Sequence, residues 1–363
     1  MSKEIQPSIE VGPATELLSR AECNIMRGFA ILLIVINNFT HMFKDVVKDC
    51  EYNFYWETVT GFLNNLAHPD HMLPFNFLSF YCPYGVMLFI FLSGYCLTLK
   101  YEKGNGQGTS AKDFIINHYN KLFTMQLKGL SLFLLFYFIF YPDHVLGWGI
   151  VFQTLLLGNL GNVCMPGPYW FFGMIMEMYI IYRLIVYRRH DGIAIGLTLF
   201  SLLVMAFMEP EGPWLNYLRI NCFLAILPFC LGVLAARHLD AKFLSIHKSH
   251  ICLGWFLLSF ILLTLVKFNF YTWLFMPIFV VATAVTIVKL FIRMKLLNNI
   301  FSWMGALSGV LFVVHPTVRE VMIARINVSG GYYTMLLIYL FISFGLSMML
   351  KPLISGKKTE GKR

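Results

Sequence analysis

Charge is what this chain has least of. Asp, Glu, Lys and Arg make up only 13% of its 363 residues, about half the share in a water-soluble domain, so a solvated surface around a soluble core is excluded. The eight cysteines show no CxxC or Cys/His spacing, so no metal site is expected. Most lie in apolar runs, where a free thiol behaves as a small hydrophobe. Cys50 and Cys82 bracket the one long loop and can pair if it is extracytoplasmic. Also missing is any basic run interleaved with stacking aromatics. The net charge of +9 therefore does not point to nucleic acid as a partner. Residues 1–25 are polar, hold four Glu and lack the apolar core of a cleavable leader, so the first span is expected to be an uncleaved anchor.

Hydrophobic residues are abundant, at 58%, and the 35 Phe suit lipid-facing and interfacial positions. Ten runs have spanning character: about 26–43, 84–100, 121–141, 169–187, 192–208, 222–236, 251–267, 272–291, 301–318 and 332–350. With ten spans and a cytoplasmic N-terminus, 21 Lys and Arg fall inside and 6 outside, counting helix ends. An eleventh candidate, 145–161 (VLGWGIVFQTLLLGNLG), would invert everything after it if it crossed. It is therefore expected to be re-entrant or interfacial, covered by protein or lining a cavity. The predicted fold is an all-α polytopic membrane bundle of about ten transmembrane helices with that one irregular segment. A cytoplasmic segment 1–25, a bundle 26–350 and a basic cytoplasmic tail 351–363 divide the chain, with both termini inside and membrane lipid around it. The loop 44–83, rich in aromatics, acids and His, is expected to form a lid on the bundle, and 101–113 (YEKGNGQGTSAKD) a flexible linker.

Few polar groups interrupt these runs. In RGFAILLIVINNFTH, Asn38 lies about 20° around a helix from Arg27, and His41 about 40°. Such a stripe at membrane depth faces a bundle interior or a watery cavity; the plainer reading has Arg27 and His41 anchoring the two interfaces. Glu177 lies mid-span, seven residues after Trp170 and on its face, either as a functional carboxylate or as a hydrogen bond between helices. Ser93-Gly94 is the kind of small pair that lets helices pack closely. His315-Pro316 ends the ninth run, where the proline marks a stop or kink. His118 and Lys121 lie a turn apart at the start of the third run, with Lys128 two turns on. They are ordinary interfacial charge or a cluster for an anionic, nucleotide-like ligand. His68-Pro69-Asp70-His71 lacks further ligands and reads as solvated loop.

Together these pieces resemble acyltransferase family 3, the polytopic membrane O-acyltransferases of bacterial surface sugars. RGFAILLIVINNFTH, YGVMLFIFLSGYCLTL, PYWFFGMIMEMYIIYRLI and FSWMGALSGVLFVVHP carry the match in the family's order, over most of residues 20–350. Two positions depart. Asn38 stands where the family has His, with His41 one turn later, and NHYNKLFTM lacks the family's Arg-rich segment ending in Pro. The resemblance implies transfer of an acyl group, acetyl in particular, from cytoplasmic acyl-CoA to a hydroxyl of a surface glycan or lipid-linked sugar at a bacterial inner membrane. It implies His41 as base or acyl carrier, Asn38 orienting it and Arg27 offsetting anionic charge. His118, Lys121 and Lys128 would hold the CoA phosphates, while Trp170, Glu177, Tyr179, Ser93 and His315 would line the acceptor site. A transporter or flippase using the polar stripe as its path, or a non-catalytic partner in polysaccharide assembly, is the alternative.

Overall fold

The computed structural model describes residues 16–43, 46–47, 53–143, 147–157, 164–325 and 331–355, which are helical with no strand among them. Cys50, the N-terminal fifteen residues and most of the basic tail lie outside the described residues.

Helix α1 (Arg20–Thr40) starts where a capping box dictates. The Glu22 amide donates to Ser19 Oγ, and the Ser19 amide donates to the Glu22 carboxylate. The loop after it holds α2 (Trp56–Ala67) and α3 (Leu73–Tyr81). Phe62 of α2 stacks on Phe80 of α3 at 3.9 Å, and Phe75 of α3 meets Phe43. The expected lid is thus a pair of helices laid on the bundle, and α3 runs on into the second span. α4 (Gly85–Thr98) ends in a π-helical turn, Leu99–Lys103. α5 (Ala111–Phe140) follows, capped by Ser110, and then α6 (Trp148–Leu155). At about 12 Å, α6 is far too short to cross a bilayer. Next come α7 (Trp170–Ile181), α8 (Asp191–Ala206), α9 (Pro213–Arg219) and α10 (Cys222–His238). α11 (Ser249–Leu265), α12 (Phe270–Trp273), α13 (Met276–Phe291), α14 (Lys295–Arg325) and α15 (Tyr332–Ser355) complete the described chain.

Among the described residues, seven stretches are long and apolar enough to span a membrane, or eight if the α9–α10 pair, bent by 40°, counts as one span. The other two runs form the shorter apolar helices α8 and α13, of 16 residues each. The ninth run does not stop at His315-Pro316 as its sequence suggests. α14 carries Pro316 inside and continues to Arg325, so the proline costs one backbone hydrogen bond without ending the helix.

α1 sits between α4 and α14. A Cβ on Gly28 would strike the Phe301 carbonyl, and one on Gly305 the Asn24 carbonyl, so α1 and α14 cross backbone to backbone. Gly94 of α4 and Gly232 of α10 make the same kind of crossing against Phe229 and Phe91. The packing role expected of Ser93-Gly94 therefore falls to the glycine. Two ionic ties lock the helix ends. Lys289 of α13 bonds both oxygens of Glu22 at 2.8 and 2.9 Å. Arg237 of α10 pairs with Glu102 at 2.8 Å and Asp191 at 2.7 Å, holding the turn after α4 against α8 and α10.

Candidate active site

Four helices, α1, α4, α7 and α14, each line two cavities of about 380 Å³. The division falls at the same level on all of them. Arg27, the Phe89–Lys100 stretch, Ile175, Tyr179 and Ser308 face the first cavity. Ile34–His41, Pro83, Val86, the Gly167–Trp170 turn and Arg319 face the second. Phe171 and Phe312 belong to both, their ring centroids 5.2 Å apart. Two aromatic rings thus form the partition between back-to-back chambers. From Arg27 to His41, fourteen residues of α1 place the guanidinium and the imidazole about 21 Å apart along the helix. The polar stripe read from the sequence is real, but it serves two chambers.

The first cavity is cationic. Arg27, Lys100, His118 and Lys121 line it, with no Asp or Glu among the described lining residues. Arg27 Nη2 lies 3.8 Å from Cys96 Sγ. His118 donates from Nδ1 to the Phe114 carbonyl at 2.7 Å, because a carbonyl can only accept; in the neutral ring this leaves Nε2 as an acceptor. Its ring packs edge-on against Tyr179 at 4.9 Å. Ser93 Oγ donates to the Phe89 carbonyl at 2.8 Å and completes this wall. Such a chamber can take a polyanion at its mouth and an extended, largely apolar arm behind it.

The second cavity gathers His41, Asn37, Asn38, Trp170, Asn216 and Arg319. His41 is the C-cap of α1, its amide bonded to the Asn37 carbonyl at 3.1 Å. Asn38 Nδ2 donates to the Ile34 carbonyl at 2.9 Å, while its Oδ1 accepts from Arg319 Nη1 at 3.0 Å. The amide at the position that departs from the family pattern therefore couples α1 to an arginine of α14. An imidazole beside hydrogen-bonding amides and an indole face can hold a sugar and remove a hydroxyl proton.

Ser93 and Tyr179, expected beside the acceptor, line the cationic chamber instead, and three further residues expected at the site line neither chamber. Lys128 Nζ donates to the Leu353 and Ile354 carbonyls at 2.9 and 3.0 Å, spent on the orphan acceptors at the end of α15. Glu177 Oε2 accepts from the Cys222 amide at 2.8 Å, capping α10 just past the bend, and reaches neither chamber. That is the hydrogen bond between helices left open as its plainer role. His315 is fully buried, its Nδ1 bonded to the Leu311 carbonyl at 2.9 Å, and lines neither cavity. Conversely, Lys100, Arg319, Phe171 and Phe312 line the chambers and were not singled out. Ser308, Phe312 and Arg319 do lie on one helical face, four and seven residues apart, a spacing the apolar character of the run conceals.

No curated protein and no solved structure matches this chain. A family model described as an acyltransferase domain, that of acyltransferase family 3, matches residues 20–351. The protein is an all-helical membrane protein, and it belongs to this acyltransferase family.

Proposed function

We propose that the protein is a membrane O-acyltransferase of the bacterial inner membrane with both termini cytoplasmic. It takes an acyl group, acetyl in particular, from acyl-CoA and delivers it to a hydroxyl of a surface glycan or lipid-linked sugar. The observation that carries this reading is the pair of chambers sharing the Phe171–Phe312 partition, one lined by Arg27, Lys100 and Lys121 with no Asp or Glu among its described lining residues and the other holding His41. The CoA phosphates sit against Lys100, His118, Lys121 and Arg27, and the pantetheine arm runs along the first chamber beside Ser93 and Tyr179. The thioester then reaches the partition between Phe171 and Phe312. From the other side the acceptor stacks a ring on Trp170 and presents its hydroxyl to His41.

His41 takes the hydroxyl proton as the oxygen adds to the thioester carbonyl. The tetrahedral adduct collapses, the C–S bond breaks, and the departing sulfur takes the proton to leave free CoA. Because Arg27 lies about 21 Å along α1 from His41, it acts on the donor's negative charge and not on the oxyanion. Asn38 cannot titrate and serves to position its surroundings.

His41→Ala should abolish transfer of radiolabelled acetyl while acetyl-CoA affinity stays near wild type. Asn38→Ala should lower the rate by less than the roughly 10²–10⁴-fold typical of losing an acid–base group. Wild-type turnover by His41→Ala removes His41 from the chemistry.

A further inference from the structure

We propose that the chamber holding His41 selects an acceptor that carries a negative charge close to the hydroxyl it presents. The inference rests on reading that chamber as the acceptor site, and it names the class of acceptor. Arg319 is half-buried on its wall, and among the described residues no Asp or Glu lines the chamber or pairs with this guanidinium. Its neighbour in sequence, Glu320, does not neutralise it, because Glu320 faces a separate crevice beside Phe133 and Tyr137. Among the described residues only Nη1 has protein partners, the Oδ1 and, at 3.5 Å, the carbonyl of Asn38, while Nε is buried without one. One edge of the planar fork is thereby anchored to α1. The edge formed by Nε and Nη2 is the one that binds a carboxylate or phosphate through two parallel hydrogen bonds.

A second observation points the same way. Asn37, 6% exposed, lines the same chamber with its Oδ1 buried and unpartnered. A lone acceptor lining the same chamber as a lone cation fits a ligand that brings a hydroxyl to one and an anion to the other. A half-buried guanidinium without a carboxylate partner is costly, and a bound anion offsets that cost. The anion is either the carboxylate of a sugar acid or the phosphate of a phosphorylated sugar; both present paired oxygens.

Three probes that differ only at C6 separate these cases: methyl β-D-glucoside, methyl β-D-glucuronide and methyl β-D-glucoside 6-phosphate. Their binding to the full-length protein in nanodiscs is read by titration calorimetry, with acetyl transfer measured in parallel. At least one anionic probe should bind about tenfold tighter than the glucoside, with the gap narrowing at high salt. Whichever anion binds tighter names the source. Arg319→Gln should bring the anionic probes to the glucoside's affinity, and Arg319→Lys should keep part of the preference. Equal affinities for all three probes, no binding of any, or an equal loss for all three in Arg319→Gln would overturn the proposal; the last leaves Arg319 as a brace for Asn38. Anion preference without acetyl transfer to any probe breaks the acyltransferase reading and leaves the chamber as an anion-selective binding site. Equal transfer to all three probes does the reverse.

Discussion

Lys289 and Glu22 offer the sharpest handle on how α1 is held, and hence on where Arg27 points. Their side chains are only 9% and 8% exposed, and Lys289 reaches both carboxylate oxygens at 2.8 and 2.9 Å. Lys289→Met leaves a buried carboxylate with the Ser19 amide as its remaining donor among the described residues, and breaking such a pair costs about 3–5 kcal/mol. Glu22→Gln removes the charge but keeps an acceptor for the Ser19 amide, since Gln also completes a capping box. The double variant, Glu22→Gln with Lys289→Met, has no unpaired charge and should recover much of the loss, giving a coupling energy of about 2 kcal/mol. Unfolding by SDS titration in mixed micelles, followed by tryptophan fluorescence, measures all four proteins. Arg27 lies five residues after Glu22, so acetyl-CoA affinity should fall in Lys289→Met and return in the double variant. A Lys289→Met protein within about 0.5 kcal/mol of wild type, or single effects that simply add, would refute the reasoning.

Lys121→Ala should weaken acetyl-CoA binding more at low salt than at high salt, as expected for an exposed charge on a polyanion. Lys128→Ala, whose ammonium is spent on α15, should leave that affinity unchanged in the same titrations. Gly232→Leu should drive α4 and α10 apart at the Phe91 carbonyl, costing about 1–3 kcal/mol or more, and show as lost monodisperse protein in gel filtration. Phe312→Trp should thicken the partition, cutting acetyl transfer by about tenfold, or about 1.4 kcal/mol of barrier, while acetyl-CoA affinity holds.

Much of this was legible in the chain because it is local. Scarce charge and long apolar runs specify a helical membrane bundle. The 100° step puts Arg27, Asn38 and His41 on one stripe, and His118 with Lys121 marks a cationic mouth. What escaped is set by packing between distant segments. Lys121 and Lys128 share a helical face, yet one lines a chamber and the other meets the C-terminal carbonyls of α15. Glu177 and Trp170 also share a face, but an orphan amide at the start of α10 claims the carboxylate. Lys100 and Arg319 read as interfacial charge because only the approach of α4 and α14 to α1 turns them into walls. The division into two chambers depends on Phe171 meeting Phe312, 141 positions apart in the chain, and no periodicity announces it.

The most direct test of the two-chamber arrangement uses reporters already in place, because Cys96 lines the cationic chamber and Cys164 the one with His41. With the other six cysteines changed to alanine, vesicles of each orientation are treated with a membrane-impermeant thiol reagent, with and without acetyl-CoA. Cys96 should react only from the cytoplasmic side and be protected by acetyl-CoA, while Cys164 should react only from the opposite side and be indifferent to it. Labelling of both thiols from the same side, or equal protection of both by acetyl-CoA, would contradict a donor and an acceptor meeting across the Phe171–Phe312 partition.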